Sequence, residues 1–138
     1  MSQRLSSFPL ITIALLCLVV VLLSGDLFAQ QTSILVREVT SADLTLEKMR
    51  PPNALIKAKG KVTTGGHTNP RLLQVLYVMP PADGIQDLEF YVDPPRPTGV
   101  VTQVITEVET PLLRIEHVPD WMKGVRVRAA TNKIEKLF

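Results

Sequence analysis

Asn53 to Thr63 reads NALIKAKGKVT, and its alternation is strict. Ile56, Ala58, Gly60 and Val62 share one parity, and Lys57, Lys59 and Lys61 share the other. A period of two puts successive side chains on opposite faces of an extended chain, so this segment predicts a half-buried β-strand. The pattern recurs. Asp87 to Val92 sets Leu88, Phe90 and Val92 against Asp87, Glu89 and Tyr91, and Gly124 to Ala130 sets Val125 and Val127 against Arg126 and Arg128. Ten of the eleven prolines follow residue 29, nearly all between such runs. There a missing N–H breaks no ladder.

The remaining segments extend the same reading. Ser33–Val39 (SILVREV) predicts a first strand. Ala42–Leu46 alternates as a strand does, although Ser41, Leu44 and Glu47 also fit the start of a short helix. Arg71–Met79 (RLLQVLYVM) is apolar on both parities and is expected as a central strand buried on both faces. Val100–Glu109, rich in Val, Ile and Thr, predicts a strand, as do Leu112–Val118 and a short Ile134–Phe138. Turns fall at Pro51-Pro52-Asn53, at Pro80–Gly84 and in the stiff loop Asp93–Gly99. No long stretch has helical periodicity, and strands do not alternate with helices as in a parallel α/β sheet. The expected fold is all-β: a single antiparallel β-sandwich, Ig-like in general form, with about seven or eight strands within residues 30–138.

The first 29 residues read as an address. A polar start with Arg4 precedes the apolar run Leu10–Leu23, which leads into Ser24–Ala29. That is the layout of a secretory signal peptide, and the run is short for a membrane span. Cleavage is expected after Ala29, with Gly25 as the alternative site and retention as an anchor as the remaining one. Cys17 has Leu15 and Leu16 before it rather than the small residues of a lipid-attachment site, and it leaves with the signal. The mature chain of 109 residues then has no cysteine, so its core alone must hold it together. Its fourteen Lys/Arg and twelve Asp/Glu leave too little net charge to imply a nucleic-acid partner. Export to a periplasm or to the cell exterior is expected, soluble after cleavage, with membrane contact only through the signal segment.

Candidate site residues lie in the loops. Thr63–Pro70 reads TTGGHTNP. Gly65 and Gly66 suit a tight reversal, Asn69-Pro70 launches the next strand, and His67 is left without a backbone reason. The proline loops offer stiff recognition surfaces at Pro81 and Asp83 and at Pro95 and Arg96, because a rigid loop loses little entropy on binding. Tyr91 and Trp121 are candidate aromatic anchors, although Trp121 also fits a plug at one end of the core. His117, on the parity of Leu113 and Ile115, is expected as a half-buried strand histidine. Lys57, Lys59 and Lys61 would share a basic face with Arg126 and Arg128 if their strands were neighbours; otherwise they form a solvated face or a guarded edge.

No spacing of His67, His117 and carboxylates matches a metal motif, and the only serines after Ala29, Ser33 and Ser41, sit in no nucleophile motif. No cofactor and no catalysis are expected. Thr63-Thr64-Gly65-Gly66, Asn69-Pro70 and Arg96-Pro97 resemble loop residues of the chagasin family, small cysteine-free Ig-like inhibitors of papain-type proteases. The order within the first loop departs from the NPTTG pattern and a separate Gly-Gly loop is missing, so membership is not assigned. The leading expectation is a non-catalytic interaction module binding a protein or a glycan through its loops. A structural or accessory domain of a cell-envelope assembly and an inhibitor of a secreted protease are the alternatives.

Overall fold

The computed structural model describes residues 32–138, and the signal-peptide reading of residues 1–29 lies outside them. Among the described residues there are nine strands and no helix. In chain order they are β1 (Ile34–Leu35), β2 (Glu38–Leu46), β3 (Ala54–Val62), β4 (Thr68–Gln74), β5 (Ile85–Asp93), β6 (Thr106–Glu109), β7 (Leu113–Ile115), β8 (Gly124–Arg128) and β9 (Lys133–Leu137). They form two mostly antiparallel sheets. One holds β1, β4, β5, β8 and β9, and the other holds β2, β3, β6 and β7.

The alternating segments behave as their periodicity demands. In β3, Ile56, Ala58 and Val62 are buried; in β5, Leu88, Phe90 and Val92; in β8, Val125 and Val127. These inward faces meet in one core, joined by Val36, Val39, Ala42, Leu72, Ile115, Val118 and Met122. Every core residue lies between Val36 and Val127, so residues 32–138 form a compact unit with a self-contained core.

The expected first strand is divided between the sheets. Val36 N–H donates to Phe90 C=O at 3.0 Å on one side, and Arg37 N–H donates to Lys61 C=O at 3.0 Å on the other. Ser41–Leu46 pairs with β3 and is strand, not helix. The third strand of the smaller sheet is broken. β6 and β7 both pair with β3, and Thr110 between them presents its buried hydroxyl to Ala58 N–H at 3.0 Å. A side-chain oxygen there replaces a ladder carbonyl and lets Pro111 interrupt the strand.

Five expectations are corrected. The strands are not all antiparallel, because β5 and β8 run parallel from Ile85↔Gly124 to Glu89↔Arg128. Arg71–Met79 is not a central strand. The chain pairs only on its β5 side and leaves the sheet after Gln74, so Leu76, Val78 and Met79 are solvent-exposed. Val100–Glu109 is a strand only over Thr106–Glu109, and Val100, Val104 and Ile105 stand in solvent. His117 lies beyond β7 with φ +53°, and it is exposed rather than half-buried. The Thr63–Pro70 segment is no tight reversal, since it carries the chain from the β3 sheet to the β4 sheet. Asn69 adopts φ +52° there, and the β4–β5 register shifts between Thr68 and Arg71, as at a bulge.

Candidate interaction surface

β5 decides which loops can act together. Nine residues at about 3.3 Å each separate its ends by roughly 26 Å. The Pro80–Gly84 turn enters at Ile85 and the Asp93–Gly99 loop leaves at Asp93. The two proline loops that flank this strand in sequence are therefore held at opposite ends of the fold.

At the Asp93 end, two loops pack on each other. Gly65 N–H donates to Thr102 C=O at 2.9 Å. Gly66 has φ +82°, and a Cβ there would lie 3.1 Å from Pro95 Cβ and 3.2 Å from Val101 Cγ1. Only glycine satisfies both the backbone angle and the close approach. Gly65 carries neither constraint: its nearest neighbour would be Thr102 Cβ at 3.6 Å.

Asp93 anchors the start of the proline loop. Ser33 Oγ donates to its Oδ1 at 2.8 Å, Asn69 Nδ2 to its Oδ2 at 3.0 Å, and Arg71 Nη1 to its Oδ1 at 3.1 Å. Hydrogen bonds from Asn69, Ser33 and Arg71 hold the Asp93 carboxyl below the usual carboxylate range. Asn69 is thus a framework residue of this end, and its left-handed backbone aims its amide at Asp93.

His67 is half-buried, with Nδ1 2.9 Å from Thr64 C=O. A carbonyl can only accept, so Nδ1 is the donor in this contact. The ring lines a shallow cavity of about 240 Å³ with Ile34, Leu35, Arg37, Val62 and Thr63. Beyond it the 94–105 loop presents Arg96, Val100, Val104 and Ile105, all exposed, with Val100 as open as a residue in a free chain at 104%. The segment 94–105 contains no acidic residue. Arg96 joins no ion pair among the described residues; its carbonyl closes a turn by accepting Gly99 N–H at 2.9 Å.

The other candidates lie elsewhere. Pro81 C=O accepts Gly84 N–H at 3.0 Å, and Asp83 accepts Ile85 N–H and Arg126 Nη2 at 3.0 and 2.9 Å. Arg126 also binds Asp87 and Glu135, tying β5, β8 and β9 together. Trp121 stands edge-on to Tyr77, with ring centroids 6.5 Å apart, and packs against the core as a plug. Tyr91, two residues before Asp93 on β5, turns its hydroxyl back along the strand and donates it to Glu89 at 2.9 Å. Trp121, whose C=O lies against Gly84, belongs to the Ile85 end.

The charged stripes do not merge, because β3 and β8 belong to different sheets. Lys57 pairs with Glu109, and Lys61 lies 3.5 Å from Glu38. Lys57 above all holds the Glu109 carboxyl below its usual range. His117 and His67 lie near opposite ends of β3, since His117 N–H donates to Asn53 Oδ1 while His67 follows Val62. No group of three His, Cys, Asp or Glu is placed to hold a metal among the described residues. Val100, Val104 and Ile105 were hidden from sequence reasoning by their β-branched composition. The signal that could have found them is the loss of strict alternation after Gly99.

No protein-family model, curated protein or solved structure matches the chain.

Proposed function

We propose that the chain is an exported, non-catalytic interaction module that binds a protein through the end built by residues 63–70 and 94–105. The observation that carries this reading is the packing of Gly65-Gly66 on Pro95, Val101 and Thr102, which braces a loop bearing exposed Arg96, Val100, Val104 and Ile105. A braced loop loses little entropy on docking, and grouped exposed aliphatic side chains mark contact surfaces. A protein is favoured over a glycan because the exposed large side chains of this loop are the aliphatic Val100, Val104 and Ile105, whereas Trp121 stands at the Gly84 end and the Tyr91 hydroxyl is taken by Glu89.

The finer fold reading is an Ig-like β-sandwich, supported by the two packed sheets and by a first strand that passes from one sheet to the other. Export rests on the layout of residues 1–29, with release by cleavage after Ala29. Support for a non-catalytic role comes from Ser33, whose hydroxyl is held between Asp93 and Arg71.

One observation favours a second reading. The residues that resemble chagasin-type loops, Thr63–Gly66 and Arg96-Pro97, belong to loops that meet at this same end. Inhibition of a secreted protease is the form of protein binding they would serve. An accessory role in an envelope assembly is the third.

A photo-crosslinking residue at Val100, tested in extracts of the native envelope, separates these readings. A defined soluble adduct that disappears with Arg96→Glu or Ile105→Asp supports the module, a protease adduct the inhibitor, and a large complex the accessory domain. Crosslinking at Val100 no greater than at exposed Lys136 would overturn the site.

A further inference from the structure

β4 is an edge strand whose outer side is unguarded. Among the described residues it pairs with β5 alone. Val75 N–H donates to Asp87 C=O at 3.1 Å, and Leu73↔Glu89 and Arg71↔Tyr91 follow in the register. Bonded pairs alternate in an antiparallel ladder, so Arg71, Leu73 and Val75 turn their backbone groups to β5. Leu72 and Gln74 turn theirs outward. Phe90, opposite Leu72, confirms this phase, because its C=O accepts from Val36 on the far side of β5.

Edges are usually protected by charge. β9, the edge at the other side of this sheet, carries Lys133, Glu135 and Lys136. From Thr68 to Met79 the β4 side carries one ionisable cation, Arg71, and that is bound to Asp93. Apolar side chains stand open beside it: Leu73 at 44%, Leu76 at 89%, Val78 at 103% and Met79 at 76% of full exposure.

We infer that this edge pairs with β4 of a second copy of the chain, antiparallel about a two-fold axis at Leu73. The usable window is itself symmetric. On one side the bulge and Pro70, which has no N–H, end any new ladder. On the other, β4 ends at Gln74 and Val75 N–H makes the last backbone bond to β5. Residues 71–75 remain, centred on Leu73, and the two-fold exchanges their limits: Pro70 comes opposite Leu76 of the other copy. Leu72 meets Gln74 of the other copy twice, which satisfies the outward N–H and C=O groups of both.

The two Leu73 side chains face each other as a non-bonded pair, the close kind in such ladders. At each limit of the ladder the exposed Leu76 of one copy comes beside Pro70 of the other, so aliphatic groups cover each other there. Charge does not oppose the pairing. The two Arg71 residues are offset by four positions, about 13 Å, beyond the ~8 Å screening length at physiological salt. The surface adjoins the end built by residues 63–70 and 94–105 at Pro70, but its axis at Leu73 lies outside that end and it uses none of residues 94–105, so either assignment stands without the other.

Residues 30–138 include the whole core and are suited to the test. Sedimentation equilibrium at about 100 µM is expected to give a dimer, and Leu73→Lys is expected to weaken association at least tenfold with an unchanged circular dichroism spectrum. This segment has no cysteine, so Leu73→Cys introduces a unique thiol. At the axis its Cα would lie about 4.5 Å from its counterpart, within disulfide range. Oxidation is expected to link Leu73→Cys into dimers at least tenfold faster than Thr98→Cys in the exposed 94–105 loop. A monomer at that concentration, a dimer indifferent to Leu73→Lys, or equal linking rates for the two thiols would each overturn the inference.

Discussion

Phe90 occupies the space where a side chain of residue 60 would be. A Cβ on Gly60 would lie 2.9 Å from Phe90 Cε1 and 2.7 Å from Glu38 C=O. The ring projects from β5 across the core onto β3, and the bare backbone of Gly60 is what lets the sheets approach there. Gly60→Ala is expected to lower stability by about 1–3 kcal/mol through overpacking. Urea unfolding measures it. An unchanged midpoint would mean that Phe90 has room to move aside.

Thr110 tests the broken third strand of the smaller sheet. Its buried hydroxyl accepts Ala58 N–H, and Thr110→Val keeps the shape while removing that acceptor. Leaving the Ala58 N–H unpaired is expected to lower stability by about 1–3 kcal/mol. Thr110→Ser, which keeps the oxygen, is expected to restore part of the loss. Equal melting temperatures for the Val and Ser variants would show that the hydroxyl contributes nothing.

The adjacent glycines of the 63–70 segment are predicted to differ. Gly66→Val forces a β-branched residue into φ +82° against Pro95, with an expected loss of about 1–3 kcal/mol. A Cβ on Gly65 would meet nothing closer than 3.6 Å, and Gly65→Val is expected to lose less than half as much. His67→Ala is expected to move stability by less than about 1 kcal/mol and to weaken partner binding about tenfold, since it follows directly on Gly66, which packs on Pro95 and Val101 of the 94–105 loop. Similar melting temperatures for the two valine variants would contradict the loop packing.

Acid is expected to loosen the same end. The folded protein holds Asp93 below its ordinary titration range, so an unfolded chain binds the proton more readily. The resulting stability is fully present above the unfolded carboxylate pKa of about 3.9 and is lost as pH falls through the lower folded value. Asp83 and Glu109 are shifted in the same direction and add to the loss. Melting temperatures between pH 6 and pH 2 are expected to fall less steeply for Asp93→Asn than for the parent. Parallel curves would remove Asp93 from the account.

Three strands and their inward faces were legible from period two alone. Alternation is local: once the chain is extended, Ile56, Phe90 and Val127 must share a side with their i±2 neighbours. The turn positions were legible for the same reason, because proline restrictions act within one or two residues. What covers the second face of an apolar run is not local. Leu76 and Val78 resemble the interior of a central strand in composition, yet only the pairing of β4 with β5 on one side puts them in solvent. Likewise Val100, Val104 and Ile105 have strand-forming side chains but no ladder partner. The loops near one strand in sequence were separated because extended residues add length, and Gly66 was distinguished from Gly65 by its left-handed backbone and by the approach of Pro95, 29 positions away. Side-chain parity was therefore decided by sequence, whereas sheet neighbours, open edges and the grouping of loops were decided by contacts between segments remote along the chain.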